Sequence, residues 1–200
     1  MAVMPMFPLS TVLLPNMPLT LRIFEERYLK LLGQLLEEDE PEFGVVIIHE
    51  GQEVGGGPGS GEGVFEKRGI FGTIAQVIEV KTDEQFYGLV ATGGERFRVN
   101  AWLPDDPYPV ADIDFLPDLT WDASLAPLFE TVEAKVRRFL SMASEFGDLE
   151  WQADIELSDD PMAACWQLAG IMPLDPAEKY LMLQSESAEE LLHKIEKAGW

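Results

Sequence analysis

The chain has 200 residues, 46% of them hydrophobic, and a formal net charge of −22. That length suits one large domain or two small ones, with ample apolar material for a core. The chain is acidic on both sides of Asp118, which argues against nucleic acid and anionic membranes as partners, because capture of either rests on positive charge.

Taken in chain order, the opening Met6-Phe7-Pro8-Leu9-Ser10-Thr11-Val12-Leu13-Leu14-Pro15-Asn16-Met17-Pro18-Leu19 is mostly apolar and punctuated by proline. Proline donates no ladder hydrogen bond, so Pro8, Pro15 and Pro18 are expected at strand ends, edges or bends. Thr20 is one candidate helix N-cap, and Leu19 to Phe24 equally reads as a strand. Phe24, Tyr28, Leu31, Leu32, Leu35 and Leu36 recur at helical spacing until Glu37-Glu38-Asp39-Glu40-Pro41 ends the run. Phe43-Gly44-Val45-Val46-Ile47-Ile48 predicts a short buried strand, and Gly51 to Gly63 a loop.

Gly72 to Val80 is rich in β-branched residues and predicts a second strand. Thr82-Asp83-Glu84 marks a turn, and Phe86 to Ala91 reads as the returning strand of a hairpin. Arg96-Phe97-Arg98-Val99 and Val110-Ala111-Asp112-Ile113-Asp114-Phe115 alternate polar and apolar residues, as half-buried strands do. Five or six short strands and one helix suggest a small, strongly curved sheet or closed barrel.

Leu116-Pro117-Asp118 is the expected boundary, and the pattern beyond it is helical. Leu125, Leu128, Phe129, Val132, Val136, Phe139 and Leu140 form one apolar stripe. Ser158-Asp159-Asp160-Pro161 and Asp175-Pro176 are helix starts with proline at the first helical position. Ser187 caps a last helix, with Glu189 and Glu190 in its first turn and Lys194 and Lys197 near its end.

Catalytic and metal-binding patterns are weak throughout. The Gly55–Gly63 stretch has no lysine after it and carries Glu62, unlike a phosphate-binding loop. His49 and His193 stand far apart without spaced ligand partners, and no G-x-S-x-G occurs. Glu37 to Glu40 and Asp105-Asp106 read as solvated helix ends and turns. Arg96 and Arg98 are expected to pair with nearby carboxylates. Cys165 is the sole cysteine and sits in an apolar helical pattern, which suits a buried thiol in a reduced, cytoplasmic setting. No apolar run approaches the ~18 to 20 residues of a transmembrane helix, and the first residues make a poor signal peptide.

Several motifs in order resemble the substrate-binding domain of the Lon protease. Phe7-Pro8-Leu9, Leu14-Pro15 and Pro18-Leu19 are similar to that family's opening motif, and Phe24-Glu25-Glu26-Arg27-Tyr28 to its first helix. Gly72-Thr73-Ile74-Ala75 resembles its G-T-hydrophobic-A strand, and Gly94-Glu95-Arg96-Phe97-Arg98-Val99 its arginine-bearing strand. Pro107-Tyr108-Pro109-Val110-Ala111 leads into the family's last barrel strand. Asp159-Asp160-Pro161 and Met172-Pro173-Leu174, with Glu178-Lys179 and Leu183, fit its helical half.

The resemblance implies an α+β protein. A PUA-like β pseudobarrel with one early helix is expected over residues 1–118, followed by a helical bundle over 119–200. In form the chain is most similar to the bacterial stand-alone version, without the ATPase and protease domains. The implied function is a non-catalytic module that binds unfolded or exposed apolar polypeptide segments, as an adaptor or chaperone-like protein, with no cofactor and no metal. The alternative is a PUA-like RNA-binding protein, which the charge disfavours. Trp102, Tyr108 and Trp121 flank the expected junction and are the candidate peptide-binding residues, since ligand sites favour such places.

Overall fold

The computed structural model describes residues 2–50, 67–82, 86–145, 147 and 150–198. The glycine-rich stretch at 55–63, the turn at 83–84 and Trp200 lie outside them. The chain divides into two compact units, Met1–Pro117 and Asp118–Trp200.

The first unit holds β1 (Ala2–Leu9), β2 (Pro18–Ile23), α1 (Glu26–Leu35), β3 (Glu42–Glu50), β4 (Lys67–Thr82), β5 (Tyr87–Trp102) and β6 (Val110–Phe115). They form a mixed six-stranded sheet ordered β2-β5-β4-β3-β1-β6, with β6 also paired to β5. The ladder therefore closes into a ring, β5-β4-β3-β1-β6-β5, and β2 is left outside it on the first half of β5.

β1 is the strand that joins the ring's ends. Its first half runs antiparallel to β6, from Ala2↔Ile113 to Pro5↔Val110. Its second half runs parallel to β3, from Met6↔Gly44 to Leu9↔Ile47. Each half has one ladder partner in register, which accommodates Pro5 and Pro8 in spite of their missing N–H groups. At the changeover the Met6 N–H donates to the Pro109 carbonyl at 2.8 Å.

Met4, Met6, Val46, Ile74, Phe97, Val99, Ala111 and Ile113 pack together as the core of this unit. Phe97 fills volume that Gly44 and Gly72 leave free, since a Cβ at either glycine would meet its ring. The segment after β1 is tied down by backbone. Asn16 takes the left-handed conformation, at φ 59°. Its N–H donates to the Gly93 carbonyl at 2.7 Å, and the Gly93 N–H donates to Met17 at 2.9 Å. The buried Thr73 hydroxyl donates to the Leu13 carbonyl at 2.7 Å. Thr73→Val keeps the side-chain shape but deletes this donor. Losing a buried bond of this kind costs about 1–3 kcal/mol, an expected loss that chemical denaturation will measure.

Of the two readings of Leu19 to Phe24 the strand is the observed one, as β2 over Pro18–Ile23, and the helix begins later, after Glu25. Tyr28, Leu31, Leu32 and Leu35 are buried, and the Tyr28 ring stacks on Phe7 of β1 at 3.9 Å between centroids. Two members of the expected apolar stripe lie off that face, because Phe24 precedes the helix and Leu36 follows it; each is 56% exposed. Gly33 in mid-helix has open space where a Cβ would sit. Gly33→Ala is therefore expected to stabilise the protein by about 0.5–1 kcal/mol, seen as a raised denaturation midpoint.

The two strands expected at 86–91 and 96–99 are one continuous strand, β5. Gly93, between the two expected runs, stays in the ladder opposite Ala75 while the Leu14 carbonyl lies where its Cβ would be. The glycine serves a close backbone approach, not a turn.

The second unit opens with a 3-10 turn, Ala123–Leu125, capped by the Asp122 carboxylate, which accepts from the Ser124 N–H at 2.8 Å. It continues with α2 (Ala126–Ala143), α3 (Pro161–Ile171), α4 (Pro176–Leu183) and α5 (Ala188–Lys197). The caps follow the sequence signals. Asp160 and Ser187 accept from the third residue of their helices, and Asp175 forms a reciprocal capping box with Glu178. On α2, Val132, Val136 and Leu140 are buried. α5 packs against α2, α3 and α4. α3 is apolar nearly all round, with eight residues from Ala163 to Ile171 buried, as befits a helix covered on every side. Arg137 fastens the segment before α3 to α2, donating to the carbonyls of Ala153 at 2.6 Å and Ile155 at 3.1 Å.

Candidate functional site

Trp102 ends β5. Its ring packs against the core of the first unit, and the Arg68 guanidinium lies over it, 4.7 Å from the centroid. Arg68 comes from β4 and forks onto the Asp105 carboxylate, with its two nitrogens at 3.1 and 2.6 Å from the two oxygens. A planar guanidinium is suited to both contacts at once. Tyr108, three residues beyond Asp105, donates its hydroxyl to Gln34 Oε1 on α1. Burial raises the Tyr108 hydroxyl above its ordinary pKa, and the Glu38 carboxylate adds to the shift. The connection from β5 to β6 is thus held twice, by a charged fork to β4 and by a phenol to the helix.

Trp121 belongs to the other unit, where its ring meets Phe129 edge-on at 5.9 Å. The structure therefore brings Trp102 and Tyr108 onto one connection and gives Trp121 separate neighbours. All three are half-buried. Arg68, Asp105 and Gln34 were not singled out from the sequence. Asp105 appeared only as part of an acidic turn, and nothing in the spacing of 34, 68 and 105 announces that the fold joins them.

A cavity of about 330 Å³ lies at the edge of the same unit, lined by Asp39, Glu40, Pro41, Glu42, Gln76 and Val77. Partial burial pushes the Glu42 carboxyl above the usual carboxylate range, and Glu95, Glu40 and Glu38 push it in the same direction. The acidic run after α1 therefore lines a concave surface as well as ending a helix.

The model of the ATP-dependent protease La (LON) substrate-binding domain matches residues 3–198. The chain belongs to the LON substrate-binding domain family. Among solved structures it is similar to a Lon N-terminal domain protein from Xanthomonas campestris, at 21% identity and a TM-score of 0.66, over 98% of this chain and 99% of that one. It is also similar to the N-terminal domain of Mycobacterium avium complex Lon protease, at 13% identity and a TM-score of 0.65, over 97% and 96% of the two chains. The fold is that of a Lon N-terminal domain. The matched family is the substrate-binding part of the protease, and substrate binding in that family means polypeptide.

Other polar groups of this LON domain have structural partners. Arg96 is 5% exposed and donates to the Pro117 carbonyl at 2.8 Å, so it secures the chain leaving β6. Arg98 stands opposite Asp114 across the β5–β6 ladder. A hydrogen bond from Asn100 holds the Asp114 carboxyl below the usual range, and Arg98 contributes to the effect. Lys179 donates to the Gly170 carbonyl near the end of α3 at 2.9 Å; burial pulls its pKa down, partly opposed by Glu150. His193 lies 3.3 Å from Glu196, and His49 lies near the end of β3 in the other unit. Among the described residues no group of three or more His, Cys, Asp or Glu could hold a metal ion, and no helix is long and apolar enough to cross a membrane.

Cys165 is buried in α3, and burial pushes its thiol up to about 12, with Asp160 adding to the shift. Thiolate is the reactive form. A thiol reagent at pH 8 is therefore expected to modify Cys165 only as fast as the second unit opens, and stoichiometrically within minutes in denaturant.

Proposed function

We propose that this LON domain is a non-catalytic module that captures unfolded or exposed apolar polypeptide segments, acting in the cytoplasm as an adaptor or chaperone-like protein. The observation that carries the reading is the family match over residues 3–198, which includes a substrate-binding domain and nothing of an ATPase or protease. The closed strand ring supports a PUA-like pseudobarrel over 1–118, and the four packed helices support a helical bundle over 119–200.

Trp102, Tyr108 and Trp121 are the proposed contacts. Half-buried aromatics combine large apolar area with a polar handle and lose little side-chain freedom on binding. The Arg68–Asp105 fork and the Tyr108–Gln34 bond preorganise the first two, so capture spends little free energy on ordering the surface.

The test is fluorescence anisotropy with a reduced, unfolded client, the same client folded, and a mixed-sequence RNA. Binding to the unfolded client alone supports the reading, with Trp102→Ala, Tyr108→Ala and Trp121→Ala each weakening it while far-UV circular dichroism stays unchanged. Binding to RNA with no binding to either client form overturns it.

A further inference from the structure

β4 is flanked unequally. On one side it pairs with β5 from Phe71 to Thr82. On the other it pairs with β3 only as far as Glu42↔Gln76, and the Val77 N–H then donates to the Pro41 carbonyl at 3.0 Å. Beyond that bond, Ile78 to Thr82 have no ladder partner on this side among the described residues. An open strand edge is a row of donors and acceptors ready for another strand. Ile78 at its start is 66% exposed, and Glu79 and Lys81 pair with each other at 3.0 Å.

The 330 Å³ cavity opens where β3 stops, and Asp39, Glu40 and Glu42 line it. Glu38 and Glu95 are near enough to act on Glu42. Among the described residues none of these five carboxylates has a lysine or arginine partner. The open edge thus begins beside uncompensated negative charge, and a strand added to it would continue the line of β3 past that charge.

We infer that the Ile78–Thr82 edge of β4 docks an extended, cationic polypeptide segment by strand addition, its main chain pairing with β4 and its lysine or arginine side chains reaching the Asp39–Glu42 cavity. Backbone pairing supplies affinity without demanding one sequence, and alternate side chains supply selectivity. The inference rests on the polypeptide-binding reading and narrows it to a substrate class. Apolar residues between the basic ones face Ile78, which gives a segment of alternating basic and β-branched residues the best fit.

The test uses the full chain and labelled peptides alternating Lys with Val, or Glu with Val, read by anisotropy at low and at ~150 mM salt. The basic peptide is expected to bind about tenfold or more tighter than the acidic one, with a preference that narrows as salt screens it. Two further Lys–Val peptides carry N-methyl groups on alternate residues, one set in each phase. A strand adding to an edge uses only every second N–H for that edge, so one phase abolishes binding and the other spares it. The triple variant Asp39→Asn, Glu40→Gln, Glu42→Gln is expected to erase the basic preference. The control triple Glu130→Gln, Glu145→Gln, Glu156→Gln, with the same charge change in the other unit, is expected to retain it. Equal loss in both triples overturns the inference in favour of diffuse attraction to an acidic protein. Equal binding of the two methylated peptides overturns strand addition. Failure of every peptide while the unfolded client still binds overturns the inference and leaves the polypeptide-binding reading standing; failure of the client as well overturns both.

Discussion

Gly93→Ala is expected to destabilise the first unit by about 3 kcal/mol or more, at the upper end of what overpacking produces. The new Cβ would fall inside the Leu14 carbonyl oxygen and against the Pro15 Cα. These are backbone atoms, so no rotamer change relieves the clash. The glycine has no freedom to retreat either, because its carbonyl accepts from Asn16 and its N–H donates to Met17. Urea unfolding followed by tryptophan fluorescence measures the loss as a lowered midpoint. A midpoint within ~0.5 kcal/mol of the parent would show that the segment over β5 is not held as described.

Phe97→Ala is the second large effect, expected at about 3–5 kcal/mol. Phe97 is 0% exposed at the centre of the core cluster, and it occupies space bounded by two glycines. The two glycines answer differently to the same insertion. The nearest atoms to a Cβ at Gly44 belong to side chains, the Met6 thioether and the Phe97 ring, whereas one at Gly72 also meets the Val45 carbonyl. Gly44→Ala is therefore expected to cost less in the Phe97→Ala background than alone, giving less-than-additive losses in a double-mutant cycle. Gly72→Ala keeps most of its cost in either background.

The helical half was the more legible in sequence, and the reason is local. Pro161, Pro176, Asp160, Asp175 and Ser187 specify helix starts through bonds made within three residues. The strands Phe43 to Ile48 and Val110 to Phe115 were equally plain from their apolar runs and alternation. What escaped was set by distant partners. The runs 86–91 and 96–99 look like separate strands until Leu14 is placed against Gly93 between them. Phe24 and Leu36 match the helical period, but the helix stops short of both. At the site, Trp102 and Tyr108 were accessible as aromatics near a boundary, yet the Arg68–Asp105 fork and the Gln34 bond span 37 and 74 residues. The acidic run at 37–40 was visible as charge; its cavity exists only once Gln76 and Val77 of β4 lie beside it.

The ring closure through β1 has a consequence for the order of folding. β4 and β5 are neighbours in the chain and can pair early, because closing a short loop costs little entropy. Among the described residues Ala2 to Pro5 pair in register only with β6, so this strand has no ladder partner until Val110 to Phe115 have been made. Such long-range pairings are slow, and until this one forms, a Met- and Val-bearing strand stays available to other chains. The growing chain thus passes through the same exposed, unpaired state that its finished form is proposed to capture in others.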